Sequence, residues 1–476
     1  MAAKAGRRTP APPIQNRADL IQALTVASQL EHGLMLMYLY TAFSMKCNVE
    51  ELRNEKQPPD LLQDKLRNWK GMILRVARQE MEHLGFVCNM LSAIGGNTYF
   101  DRPNFPQTAQ FWPTKLPIQL EKFGVEALLN FLAYEKPENL VDTELDQAMP
   151  KAKLLASPQP KEPKFESLGE LYKQIRTAFA TLPEDQLFLV PKDSQVDNDT
   201  LFGSGSMSKP TYDMYIFKVW DRQSAINAVD EIIEQGEGTL TDKPVEVKDL
   251  DPNCHYMQFR QILKDYLGGS FAGTPTFQGA RNCVLNPAFE LHQDTCNWPV
   301  FPDPNVQGKQ IQPRLSVAII NHKWSRDMMG IVNTAYESLM QMLVRLYTAS
   351  DDTPSEVNGI VQTAFFPMMT MAIRPLSELM SLLPAFKEKE YAGYTAGAGF
   401  EYFRTIGFLP HKPAAWITIY ERLQENADAF ARATKAIPPD VEKALMDAGY
   451  RPEETLPFIR ENLKRIPSNF KTYLNF

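Results

Sequence analysis

The residues predict an all-α protein: a four-helix bundle with metal ligands on its inner faces, a long loop-rich insertion, and an additional C-terminal helical region. Three observations carry that prediction. From Asn68 to Gly96, large side chains recur at Trp69, Ile73, Val76, Val87, Met90 and Ile94, the three-four alternation of one buried helix face. Continuing the spacing from Val76 lands on Glu80 and then His83, so the stripe carries a carboxylate and an imidazole inward, where an unpaired charge is costly unless compensated. A second stretch, with its stripe at Leu20, Leu24, Ala27, Leu34, Met35 and Tyr38, has Glu31 between Ala27 and Leu34.

Residues 1–16 hold Arg7 and Arg8, followed by prolines where a signal peptide needs a continuous apolar core, and read as a flexible leader. The first helix is expected over Ala18 to Lys46 with Asn16 as its cap. His32 sits off the stripe, in a supporting or structural place. Pro58 and Pro59 lead into the second helix, where Glu80-x-x-His83 sets two ligands one turn apart on one face. Helical bundles hold iron or manganese in this way.

After Gly95 and Gly96 the chain turns rich in Pro, Asn and Phe. Residues 97–211 read as an insertion over one end of the bundle, a natural substrate lid, with helices near Val125–Tyr134 and Leu168–Leu182. Helix is expected again from Tyr212 to Gly238, with Ile226, Val229 and Ile233 inward. One more turn reaches Glu237, Glu234 lies further round, and either carboxylate could be the ligand. Asp251 then reads as a cap and Pro252 as the first helical residue, with His255, Phe259, Ile262 and Tyr266 along one face. The bundle is therefore expected over 17–275, a connector over 276–312, and a C-terminal helical region packed on the bundle over 313–476. That region reads as helices at Val317–Ala349, Val357–Leu383 and Ala414–Ala436, with short polar helices from Pro438. Its many methionines read as core filler.

Composition narrows the function classes. A net charge of −7 with no Lys/Arg-rich stripe argues against nucleic acid as a partner. Five cysteines, odd in number and without a CxxC pair, suit a reducing cytoplasm and argue against a thiolate metal site. No window reaches the roughly 18 apolar residues of a membrane span. Phosphate-cradling loops, nucleophile elbows and dinucleotide fingerprints are absent from the sequence. The candidate metal ligands are thus Glu31, Glu80, His83, Glu234 or Glu237, and His255. Nitrogen and oxygen donors suit iron or manganese, although ligand type alone does not separate them from zinc. Tyr38, two turns beyond Glu31 on the same face, is the candidate catalytic residue, as a donor of a hydrogen bond or an electron.

Taken in order, LEHGLMLMYLY, RQEMEHLGFVCNMLSAIGG, FLAYEKPE, IIEQGEG and HYMQF resemble the ferritin-like domain family of the iminophenyl-pyruvate dimer synthase of violacein biosynthesis. IRPLSELMSLLP and TAGAGFE extend the resemblance over most of the chain, although the synthase is much longer. It implies a ferritin-like four-helix bundle holding one or two iron ions, with manganese the alternative. The implied activity is that of a non-haem, di-iron oxidoreductase using dioxygen or peroxide on a small, amino-acid-derived molecule in specialised metabolism. Oxidative dimerisation of imino acids is the alternative reaction, and a metal-binding or structural module without catalysis the alternative class. A small-molecule substrate and the oxidant are the expected partners, a homodimer is allowed, and neither nucleic acid nor membrane is expected. One departure stands out: a di-iron bundle takes a second Glu-x-x-His from its fourth helix, but the residue three before His255 is Pro252, which cannot ligate. A second iron would then need Glu234, Glu237 or water.

Overall fold

The computed structural model describes residues 13–107, 117–148, 167–192, 195–202, 215–241, 243–306, 308–348 and 350–475. Most of the expected leader and the proline-studded stretch at 150–163 lie outside them. At the centre, α1 (Arg17–Ser44) and α2 (Pro59–Ala93) pack antiparallel. Asn16 caps α1 by accepting from the Asp19 amide at 3.0 Å, and Pro59 opens α2 where its missing N–H costs nothing. From Leu30 to Met45 every side chain but Leu39 is buried. A one-sided stripe gives way to burial all round because other helices cover both faces of the pair.

On one side, α3 (Val125–Glu135) packs on α6 (His255–Tyr266), and α4 (Leu168–Thr181) packs on α5 (Arg222–Glu237). Arg176 of α4 grips Asp230 of α5 with two bonds, at 2.5 and 3.0 Å. The helix expected from Tyr212 begins only at Arg222, capped by Asp221; residues 212–214 lie outside the described residues. The segment before it is extended because side chains take its amides: Glu82 binds the Tyr215 N–H at 2.7 Å and Gln195 the Val219 N–H at 2.6 Å. The start of α6 also differs from expectation. Asp251, Pro252 and Asn253 form a turn closed by Asp251 Oδ1 on the Asn253 N–H at 2.7 Å, and His255 is the first helical residue. Short parallel strands β1 (Leu140–Val141) and β2 (Val245–Glu246) tie the region after α3 to the approach to α6.

On the other side lies the C-terminal region. Three short parallel strands, β3 (Pro287–Ala288), β4 (Val300–Phe301) and β5 (Val317–Ile319), form a sheet with β5 in the middle. The helix expected from Val317 therefore starts later, as α7 (Lys323–Leu346). Four consecutive stretches follow as one rod, labelled α8: Pro354–Ile360 and Arg374–Met380 are α-helical, and Val361–Phe365 and Met368–Ile373 are π-helical. Helix α9 (Lys412–Ala433) lies between α7 and α11 (Pro452–Leu474), with α10 (Pro439–Asp447) between α9 and α11 in the chain. The last helix is much longer than the short ones expected. It runs through Pro457 and Pro467 because Leu456, Ile459, Leu463, Ile466, Phe470 and Leu474 keep one face buried throughout.

Arg281, buried between these halves, joins them. Its guanidinium meets Glu51 at 2.7 and 2.9 Å, the Phe43 carbonyl at 3.2 Å and Ser381 Oγ at 2.8 Å. No helix among the described residues is long and apolar enough to cross a membrane.

Candidate metal centre

Four helices deliver five side chains to one buried point. Glu31 comes from α1, Glu80 and His83 from α2, Glu135 from the last residue of α3, and His255 from the first residue of α6. Glu31, Glu80 and His83 form one set of possible ligands, and Glu80, Glu135 and His255 a second; within each set the donor atoms lie within 4.8 Å of one another. Glu80 belongs to both. His83 Nδ1 lies 3.4 Å from Glu31 Oε2 and 3.6 Å from Glu80 Oε2, and His255 Nδ1 lies 3.0 Å from Glu80 Oε1 and 3.4 Å from Glu135 Oε2. The two rings stand 5.4 Å apart, inclined by 26°.

A cation fits this arrangement better than hydrogen bonding does. His255 is fully buried, yet neither of its ring nitrogens makes a hydrogen bond, because the nearby carboxylate oxygens lie out of line with Nδ1. Leaving a buried polar group unsatisfied costs on the order of 1–3 kcal/mol, and a metal on Nδ1 would remove that cost at the nitrogen facing the carboxylates. Protons strain to fill the same place. Burial, and then the neighbouring Glu80, push the Glu31 carboxyl up to about 8. Burial would raise Glu80 too, but hydrogen bonding from Glu31 and the charge of His255 outweigh it and hold Glu80 below the usual carboxylate range. Burial works against a charged His255, yet Glu135 and Glu80 together raise it to about 9; Glu31 and Glu80 likewise raise His83.

The surrounding groups hold these side chains in place. His83 Nε2 donates to Gln235 Oε1 at 3.1 Å, and Gln235 Nε2 donates to Glu82 and Glu231, each at 2.8 Å. Tyr172 of α4 donates to Glu31 Oε1, and Tyr38 of α1 donates to Glu135 Oε1. Burial, reinforced by the adjacent carboxylates, keeps both phenols protonated. Beside the cluster is a cavity of about 30 Å³, walled by Leu34, Tyr134, Leu168, Gly169, Ile232 and Gly236 among others. It has room for a water-sized molecule.

Of the residues singled out in the sequence, Glu31, Glu80, His83 and His255 are brought together, with Tyr38 against Glu135. Glu234 is not: it is exposed and faces an outer cleft with Tyr215 and Trp220. The side chain of Glu237 lies outside the described residues. Gly236 of α5 lines the cavity beside the cluster, and a Cβ built there would stand in ordinary contact, 3.5 Å from Glu135 Oε2. Glu135, not among the ligands expected from the sequence, joins the cluster. Its signal was present in the run into FLAYEKPE, where Leu128, Phe131 and Glu135 fall at one-turn intervals. His32 turns away from the cluster, bonded to the Phe100 carbonyl at 3.0 Å and to the Tyr336 hydroxyl. The missing second Glu-x-x-His also has a backbone cause: residue 252 precedes α6 and belongs to the turn.

A bundle with shared carboxylates and imidazoles at its centre defines a class of metal-binding helical proteins. Residues 24–264 match the Ferritin-like family, and the chain belongs to it. Dichlorochromopyrrolate synthase of Lentzea aerocolonigenes is 28% identical over 445 residues, covering 91% of this chain and 40% of the synthase. The 2-imino-3-(indol-3-yl)propanoate dimerase of Chromobacterium violaceum is 25% identical over 396 residues, covering 81% of this chain and 34% of the dimerase. The chain thus spans well under half the length of either curated relative. A ferritin-like protein from Caulobacter vibrioides, known from its crystal structure, aligns over 81% of this chain and 100% of its own at 16% identity, with a TM-score of 0.44.

Proposed function

We propose that this chain is a non-haem di-iron oxidoreductase that uses dioxygen or peroxide on a small, amino-acid-derived substrate. The observation that carries the reading is the sharing of Glu80 between two ligand sets, Glu31 with His83 and Glu135 with His255. Three carboxylates and two imidazoles without a thiolate suit iron, and manganese next. Iron held there would pass electrons between substrate and oxidant. The chain's own residues prepare the place. Gln235 orients His83, Tyr172 and Tyr38 each hold one oxygen of a carboxylate so that the other faces inward, and the apolar wall at Leu34, Ile232 and Ile233 keeps bulk water out. The cavity beside the cluster suits a diatomic oxidant.

Similarity to the imino-acid dimerase favours a second form of the reading, oxidative coupling. Two imino acids would each lose one hydrogen as a carbon–carbon bond forms. The two electrons and two protons released would reduce dioxygen to peroxide, or peroxide to water.

Anaerobic loading with ferrous iron, counting of the metal by anomalous scattering, and oxygen uptake with indole-3-pyruvate and ammonium test the proposal. Two irons per chain and imine-dependent uptake are expected. The product mass then separates the chemistries: a dimer lighter by two hydrogens indicates coupling, and a gain of oxygen indicates oxygenation. Tightly bound metal with no consumption of either oxidant would overturn the enzyme reading in favour of a metal-binding module.

A further inference from the structure

A second, much larger cavity lies on the opposite side of α1 and α2 from the metal cluster. The same two helices wall both spaces. Helix α1 turns Glu31, Leu34 and Tyr38 toward the cluster, and Leu36, Leu39 and Phe43 toward the cavity. Helix α2 likewise divides Glu80 and His83 from Leu74, Arg78 and Met81. Helices α7 and α8 close the other side. The volume is about 530 Å³. Protein interiors leave few voids larger than a water molecule, and an apolar cavity of about 150 Å³ holds one benzene. This one has room for two or three rings.

We infer that the cavity is a binding site for a planar aromatic carboxylate. Three features select that chemistry. Its wall is rich in rings, with Phe43, Phe100, Phe365, Phe366, Tyr336 and Phe400, and in the polarisable side chains of Met81, Met340 and Met369. Rings and thioethers favour a flat aromatic guest through edge, face and sulfur contacts. The mouth is cationic. Gly71, Thr370 and Arg374 are the exposed lining residues, and Phe100, Tyr336 and Phe400 are buried at the inner end. Arg374 meets Glu378 through Nε at 3.4 Å, while Glu378 is held more closely by Lys70, at 2.8 Å. A carboxylate at the rim would meet the exposed Arg374 guanidinium with the rings pointing inward.

The third feature is the backbone of α8. Phe365, Phe366, Met369, Thr370 and Ile373 come from its two π-helical stretches or the junction between them, where Pro367 contributes no N–H. A π turn inserts a residue into the helical spiral and is frequent at functional sites. Two in succession widen the helix along the wall of this cavity, which ordinary core packing does not require.

Calorimetric titration of the whole chain with 2-naphthoate, 2-naphthamide and decanoate tests the site. The iron-loaded and chelator-treated proteins are compared, so the outcome is separate from that of the metal proposal. Saturable one-to-one binding of 2-naphthoate is expected in both. Filling the space with Met369→Trp, or with Leu343→Trp should the first variant not fold, is expected to weaken binding at least tenfold while far-UV circular dichroism stays that of the parent. Arg374→Gln should weaken 2-naphthoate about tenfold and leave 2-naphthamide unchanged. No saturable binding, unchanged binding in a folded tryptophan variant, equal loss of acid and amide, or tighter binding of decanoate would each overturn the inference.

Discussion

His83 Nε2 lies 3.1 Å from Gln235 Oε1, and this contact decides which imidazole nitrogen faces the carboxylates. Both of Glu82 and Glu231 accept from the Gln235 amide nitrogen, so its oxygen is the atom left to face the ring. The ring must therefore donate from Nε2, which leaves Nδ1 as the nitrogen that faces the carboxylates and would give up its proton to bind a metal. Gln235→Leu should weaken metal binding by roughly 10–100-fold without unfolding the bundle. Competition with a chromophoric chelator measures the change, and parent-like affinity would show that the ring needs no such support.

Glu135 and Glu234 offer a direct comparison between a buried and an exposed carboxylate near α5. Glu135→Ala should remove at least one metal equivalent, whereas Glu234→Ala should keep the full complement, because its side chain faces the outer cleft. Elemental analysis after gel filtration decides. Equal metal content in the two variants would contradict the site geometry.

The pH dependence of loading follows from the protons that the metal-free cluster holds. Glu31 is raised to about 8 and His255 to about 9, so at neutral pH both carry a proton that a cation must displace. The metal-free state binds more protons than the loaded one. Apparent affinity should therefore rise with pH toward about 9 and fall below it, by up to about tenfold per pH unit for each proton displaced. Potentiometric titration during anaerobic addition of ferrous iron should record more protons released at pH 6.5 than at pH 9.5. Equal release would show that the cluster is already deprotonated.

Arg281 should matter for stability rather than for metal content. Arg281→Ala leaves Glu51 buried without its cation, a defect that costs about 3–5 kcal/mol in comparable buried pairs. Urea denaturation monitored by circular dichroism tests this, with metal content in the folded state expected to match the parent.

What could be read from the chain alone follows from how each signal is written. The α1 and α2 ligands were legible because long helices repeat their stripe many times, so a charged residue falling within it stands out. The signal of Glu135 was much weaker, since α3 is short, so its stripe repeats only twice before ending at the residue in question. Extending the stripe of α5 left Glu234 and Glu237 open because periodicity alone does not fix which way each end residue turns; Glu234 faces the outer cleft. The late start of α7 was hidden for a different reason: Val317 to Ile319 is apolar enough for either state, and only pairing with β3 and β4 makes it a strand. Pro457 and Pro467 read as breakers locally, yet tertiary packing of their neighbours keeps α11 intact.

The turn at Asp251 to Asn253 has an electrostatic consequence. By starting α6 at His255 it takes one acidic ligand from the usual four, so two divalent ions would meet three anionic side chains among the described residues. With those three alone the filled centre would carry one surplus positive charge, which in a dehydrated interior favours a further anion. Hydroxide, a peroxide anion or the acid group of an incoming substrate would each be drawn in by that deficit.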